Sequence, residues 1–223
     1  DVIELGVPFS DPLADGPTIQ ASSLKALKNG VTVAKCLELC STLRNKGVEI
    51  PIVLMGYVNP LMRYGFTKLA SDASVAGVDG IIVADLPVEE SDDFRETCLS
   101  EDICVIPLVA PTSSDKRISM LCEKANGFIY CVSVAGVTGA REELPASLPR
   151  FVEKVRTFST LPLAVGFGIS NHLQVKSLSA MSVSAVVGSA LIDIVEQASR
   201  EDLISSVRDF ISELRGFGSE KEL

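Results

Sequence analysis

One histidine among 223 residues removes several chemistries at once. A single imidazole, His172, cannot assemble the multi-histidine ligand sets of catalytic metal sites, so no metal is expected. It follows Ser170-Asn171, where a helix should start, which points to a surface role rather than to a catalytic triad. Basic residues are also short. The 20 Lys and Arg face 29 Asp and Glu, a net charge of -9, with no basic cluster to neutralise a phosphodiester backbone, so nucleic acid is not expected as a partner. No apolar run approaches the ~20 residues of a membrane-spanning helix. No charged-then-apolar leader opens the chain either, and it reads as a cytoplasmic protein without membrane association. The six cysteines, Cys36, Cys40, Cys98, Cys104, Cys122 and Cys131, show no CxxC spacing and stand mostly among apolar neighbours, which predicts reduced core thiols.

What the chain does have is apolar residues, 47% of the total, enough for one large core. A single domain over residues 1–223 is expected. Short β-branched runs recur at Val2 to Val7, Ile52 to Tyr57, Gly80 to Ala84, Ile103 to Val109, Phe128 to Ser133, Leu163 to Gly166 and Ala185 to Gly188. Between them, 3.6-residue spacing predicts helices over Val33 to Asn45, Thr67 to Val75, Glu89 to Ser100, Ser114 to Ala125, Leu148 to Phe158 and Leu173 to Ser179, with a closing helix from Glu201 to Arg215. Alternating strands and helices imply a parallel sheet, and runs apolar on both faces, such as Gly80-Ile81-Ile82-Val83-Ala84, imply helices over it. A doubly wound sheet or a barrel would satisfy that pattern. The chain opens on Asp1-Val2-Ile3, already strand-like and without an initiator methionine, so a strand and helix upstream are expected. Seven strands plus that one give the eight of a (β/α)8 TIM barrel, in which the first strand here would be the second.

Glu4 is the residue out of place. In an extended Val2-Ile3-Glu4-Leu5-Gly6-Val7, Ile3, Leu5 and Val7 share one face while Glu4 and Gly6 share the other, pointing into a confined interior. Burial raises a carboxyl pKa, which suits a group that both gives and takes a proton near neutrality. Asp15 follows on a loop containing Pro8, Pro12 and Pro17. Other strand ends are polar or glycine-rich: Asp11, Tyr57 with Asn59, Asp85 with Pro87, the stretch 133–140, Gly166-Phe167-Gly168-Ile169-Ser170, and Gly188-Ser189. Each glycine alone would only permit a tight turn. The last three loops together read as one phosphate site, because Gly188-Ser189 opens the helical run Ala190-Leu191-Ile192, whose free N–H groups favour an anion. Gly166-Phe167-Gly168 lacks the third glycine of a dinucleotide fingerprint. The segment from Ser133 to Pro149 is either a lid or a solvated loop.

The run from Glu4 to Gln20, Glu-Leu-Gly-Val-Pro-Phe-Ser-Asp-Pro-Leu-Ala-Asp-Gly-Pro-Thr-Ile-Gln, resembles the α-subunit family of tryptophan synthase. So do Asp85-Leu86-Pro87-Val88-Glu89-Glu90, Ala135-Gly136-Val137-Thr138-Gly139-Ala140 and the 166–170 motif, and the resemblance runs through essentially the whole chain. It implies a (β/α)8 barrel, here lacking its N-terminal helix, first strand and first crossover helix, that cleaves indole-3-glycerol phosphate to indole and glyceraldehyde 3-phosphate without cofactor or metal, and passes indole to a pyridoxal-phosphate β-subunit. By resemblance Glu4 and Asp15 are the catalytic pair, Tyr130 is an active-site tyrosine, and Thr138 is the lid threonine that meets the aspartate. Phosphate contacts carry over to Gly139, Phe167, Gly168, Gly188 and Ser189, and the indole pocket to Met55, Tyr57, Ile82, Ala84 and Leu108, although inward strand residues fill barrels in any case. Asp11, Asn59 and Pro87 fall on the implied β-subunit rim; Asp11 could equally be a turn residue. Asp85 either supports the site or caps a loop. A free-standing indole-releasing lyase and a catalytically weak activator of the β-subunit are the alternatives, and the intact Glu4 and Asp15 argue against the second.

Overall fold

The computed structural model describes residues 1–132, 144–166 and 168–217. Its strands are β1 (Ile3–Gly6), β2 (Ile52–Gly56), β3 (Gly80–Val83), β4 (Cys104–Val105), β5 (Leu108–Val109), β6 (Ile129–Val132), β7 (Leu163–Gly166) and β8 (Ser184–Ala185). All neighbours pair in parallel, in the orders β1-β2-β3-β4 and β5-β6-β7-β8.

The two arcs share one run of chain. Ile103 to Val109, expected as a single strand, is divided because Pro107 has no N–H to donate. Ile106 N still donates to Ile81 O at 3.0 Å on the β3 side, while Tyr130 N donates to Pro107 O at 3.1 Å on the β6 side. The pair β4 and β5 therefore fills one barrel position, and the described residues fill seven of the eight positions of a (β/α)8 barrel.

The helices are α1 (Pro17–Lys28), α2 (Val33–Asn45), α3 (Val58–Tyr64), α4 (Phe66–Val75), α5 (Asp92–Leu99), α6 (Asp115–Glu123), α7 (Leu148–Arg156), α8 (His172–Ala180), α9 (Ser189–Gln197) and α10 (Leu203–Leu214). Two of them escape the periodicity. No residue of α1 is fully buried; Ile19, Ala26 and Leu27 are half-buried and Ser22 and Ser23 interrupt them, so its apolar stripe is faint, and Pro17 starts it with φ already set. Helix α3 has seven residues and carries Pro60 in its first turn, where a missing N–H costs nothing. The predicted helix from Glu89 opens instead with a 3-10 turn over Val88–Glu90. The predicted strand from Ala185 to Gly188 is shorter, and Gly188 becomes the N-cap of α9.

Side-chain alternation sorts the strands into faces. Outward residues Ile52, Leu54 and Ile81 pack with Cys36, Leu37 and Cys40 of α2, Leu69 and Ala73 of α4, and Phe94 of α5. A second outer core joins Ile129, Cys131, Leu163 and Val165 to Ile118 of α6, Phe151, Val152 and Val155 of α7, and Leu178 of α8. Each fully buried aliphatic or aromatic side chain here contributes roughly 1.5–3 kcal/mol. A smaller cluster, Val53, Ile82, Ile106 and Tyr130 with Met55 and Leu108, fills the barrel interior. All six cysteines are free, five of them buried.

One polar staple closes the bottom of the first arc. Arg44, in the last turn of α2, donates to Gly77 O (2.9 Å), Val48 O (2.7 Å), Ile50 O (2.8 Å) and Asp79 Oδ2 (2.6 Å). The same Asp79 oxygen accepts from Ile52 N at 2.7 Å, which ties α2 to the start of β2. Among the described residues no helix is long and apolar enough to cross a membrane.

Candidate active site

Register settles where Glu4 points. It lies beside Val53, and Gly6 lies beside Met55, both partners belonging to the interior cluster. Its neighbours Ile3 and Leu5 pack instead against the outer core. Glu4 therefore faces the barrel throat, as the alternation predicts. The residue is reached by solvent, yet its carboxyl is crowded by protein, and that desolvation, followed by repulsion from Asp15, pushes its pKa up to about 7. The two facts agree, because a deep throat can admit water and still be walled by low-dielectric protein. Water there opposes desolvation, and the upward direction, toward neutrality, is what matters for proton transfer.

Asp15 is held from the next strand end. Tyr57 sits one residue beyond β2 with the parity of Val53 and Met55, so its ring turns inward and only 5% of it is exposed. Its hydroxyl donates to Asp15 Oδ2 at 3.0 Å and accepts from Ala14 N at 3.0 Å. Burial raises the Asp15 pKa, and the Tyr57 hydrogen bond works against that rise by favouring the carboxylate. The phenol itself is pushed far up by burial and by the Asp15 charge, so it remains a neutral donor. Phe9 packs on the same ring, centroids 5.5 Å apart.

Tyr130, 8% exposed on β6, shares the field of both carboxylates; burial first, then Glu4 and Asp15, drive its pKa strongly upward. Gly166 leaves it room, since a Cβ there would stand 2.7 Å from the Tyr130 hydroxyl. Met55, Ile82 and Leu108 line the interior, and Ala84 has the same parity as Ile82. Asp11, Asn59 and Pro87 are exposed on the rim formed by the strand ends. Asp85 accepts a hydrogen bond from Val58 N at 2.7 Å.

Gly168 adopts a left-handed backbone with φ +68°, open to glycine at little cost. Gly188 caps α9 without a side chain, with open space where a Cβ would sit, and Ser189 is the first helical residue. Thr138, Gly139 and Phe167 lie outside the described residues, as does most of the expected lid. His172 begins α8 and its Nδ1 lies 3.0 Å from Leu214 O, far from catalytic duty. The inward carboxylate was legible in the sequence, but the Tyr57 clamp on Asp15 was not; its only signal was inward parity one residue past a strand.

Fold and site define a (β/α)-barrel protein that turns two carboxylates, Glu4 and Asp15, toward one throat at its strand ends. A family model described as tryptophan synthase alpha chain matches residues 1–217. The tryptophan synthase alpha chain of Roseiflexus sp. (strain RS-1) is 49% identical over 216 residues, covering 97% of this chain and 83% of that protein. That of Geobacter sulfurreducens is 46% identical over 215 residues, covering 96% and 81%. Among solved structures, one of the tryptophan synthase a2b2 complex from Pyrococcus furiosus has a TM-score of 0.89 at 40% identity, covering 96% of this chain and 86% of that one. The tryptophan synthase alpha chain from Legionella pneumophila has a TM-score of 0.86 at 34% identity, covering 97% and 79%. The chain belongs to the tryptophan synthase alpha chain family.

Proposed function

We propose that the chain is a lyase for indole-3-glycerol phosphate, cleaving it by a retro-aldol step to indole and glyceraldehyde 3-phosphate. The observation that carries this is the pairing, in one throat, of a carboxyl raised toward neutrality with a second carboxylate held by a tyrosine. Protonation of the indole C3 comes first, and Glu4 is the donor we assign. The ring then bears positive charge, which Asp15 stabilises by accepting the ring N–H. Glu4, now ionised, takes the proton of the side-chain hydroxyl next to C3. The carbon-carbon bond breaks, its electrons return to the ring, and the hydroxyl carbon becomes the aldehyde of glyceraldehyde 3-phosphate. Protons balance with Glu4 restored to its acid form.

Gly168, Gly188 and Ser189, with Gly139 and Phe167, are proposed to cradle the substrate phosphate, supported by the left-handed Gly168 and the uncrowded N-terminus of α9. Met55, Ile82, Ala84, Leu108 and Tyr57 form the proposed indole pocket. Exposed Asp11, Asn59 and Pro87, with Leu13 94% exposed beside them, suit a rim that docks a β-subunit and passes indole onward. One domain and a cytoplasmic setting belong to the same proposal, the latter supported by six free thiols. Release of indole from indole-3-glycerol phosphate by the full-length polypeptide, with and without β-subunit, tests it. Indole should appear in both arms and faster with the partner. No indole in either arm overturns the proposal.

A further inference from the structure

We propose that Asp85 is a positioning residue for Asp15, acting through Tyr57; this rests on the lyase reading for its catalytic consequence. Asp85 lies just beyond β3, and its Oδ1 accepts from Val58 N at 2.7 Å. Val58 is the first residue of α3, one of the N–H groups that a helix start leaves without an internal partner. Tyr57, the N-cap, is extended at φ -112° and ψ 153°, and its phenol makes no cap to its own helix. Asp85 therefore supplies from another strand the acceptor that a serine or aspartate at the cap would supply locally.

That substitution has a reason in the geometry. The residue at the cap is needed elsewhere, because the Tyr57 hydroxyl bridges Ala14 N and Asp15 Oδ2. With the phenol committed to the β1 loop, the chain on either side of Tyr57 must be fixed by others. Val7 N donates to Met55 O at 2.7 Å before it, and Asp85 takes Val58 N after it. Three successive strand ends are thus coupled in series: β3 through Asp85, β2 through Tyr57, β1 through Asp15. Freeing Val58 lets the extended-to-helical step at Tyr57 relax, and a hydroxyl at the end of a long ring magnifies a small backbone rotation. The charged or titratable groups that act on Asp15 or on its holder are Glu4 from β1, Tyr130 from β6, Tyr57, and Asp85, whose charge is felt by Tyr57.

The test is a double-mutant cycle on the full-length polypeptide with its β-subunit, reading kcat and KM for indole release. Asp85→Ala should lower kcat about ten-fold with KM changed less than about two-fold, since misplacement of a reacting group falls mainly on the chemical step. Asp85→Asn, which keeps an oxygen for Val58 N–H, should recover most of that loss. In a Tyr57→Phe chain the same Asp85→Ala change should cost less than about two-fold, because its route to Asp15 is already cut. An equal factor in both backgrounds, or an Asn variant as poor as Ala, overturns the proposal. If Asp85→Ala fails to fold, Asp85→Glu, which keeps the charge but displaces the acceptor, takes its place in the cycle. A second readout needs no turnover: the Asp15 carboxyl carbon resonance should titrate at higher pH in the Asp85 variant, and an unmoved midpoint overturns the proposal. A parent chain that releases no indole while that midpoint moves sinks the lyase reading and keeps the positioning role.

Discussion

The Tyr57 hydroxyl grips consecutive residues of the β1 loop, accepting from Ala14 N and donating to Asp15 Oδ2, both at 3.0 Å. A side chain 42 positions away thus holds the path of that loop and favours the ionised form of its carboxylate. Donation stabilises the ionised form of Asp15 against the burial that raises its pKa.

Tyr57→Phe removes the donor and leaves the ring. The Asp15 pKa then rises further, so the acid limb of the kcat/KM profile for indole release moves to higher pH, with Glu4 and Tyr130 still facing the same throat. Kinetics across pH 5–9 check this. An acid limb that stays in place would remove Tyr57 from control of Asp15. The orphaned Ala14 N–H should cost about 1 kcal/mol of stability besides.

Glu4→Gln should reduce indole release to background while substrate still binds, since the amide keeps the shape and cannot shuttle a proton. Stability gives an independent sign. The folded chain holds the Glu4 proton up to about pH 7, whereas the unfolded chain releases it near 4.5. Between these values the native state binds more protons, so the Glu4 contribution to stability falls as pH rises and levels off above 7. The Gln variant should therefore melt higher than the parent at pH 8 and lose that advantage below pH 4.5. Melting curves at the two pH values decide it.

Gly166→Ala should impair the site from the opposite wall. The added Cβ would stand 2.7 Å from the Tyr130 hydroxyl and 3.0 Å from Cε1, in a side chain only 8% exposed. Overpacking of this kind costs about 1–3 kcal/mol. Tyr130→Phe in the same chain deletes the nearest atom and should recover part of the melting temperature. No recovery would place the conflict elsewhere.

Arg44→Ala should destabilise the chain without touching chemistry. It removes the partner of three carbonyls and of Asp79, although Asp79 is half exposed and its ion pair is screened. A loss of about 2 kcal/mol is expected in denaturant unfolding, with kcat for indole release unchanged.

The sequence revealed those parts of the fold and site that rest on local repetition. The inward direction of Glu4 could be read because β1 alternates cleanly, and the helix start at Gly188-Ser189 because an apolar helical run follows it. Helix α1 was hidden because its inner face is only half-buried and is interrupted by Ser22 and Ser23, and α3 by its seven residues and Pro60. The division at Pro107 was hidden because a strand's apolar pattern says nothing about which neighbour takes each amide. Tyr57 was expected as pocket wall, and its hydroxyl contact depends on how two distant loops meet, which no spacing along the chain records. Asp85 stood undecided between support and cap; its carboxylate caps a helix begun from another strand, and the proposed support of Asp15 runs through that cap.

The break at Pro107 also bears on how the molecule comes apart. On either side of it lie two outer cores with no residue in common, one closed by α2, α4 and α5 and the other by α6, α7 and α8, joined by the small interior cluster, by α1 against α9 and by exposed ion pairs such as Lys25–Glu196 and Arg117–Glu89. A seam that lacks one amide rung is where cooperativity is weakest. Backbone exchange with deuterium should then sort into two populations divided near residue 107, each half opening on its own clock before the whole chain does.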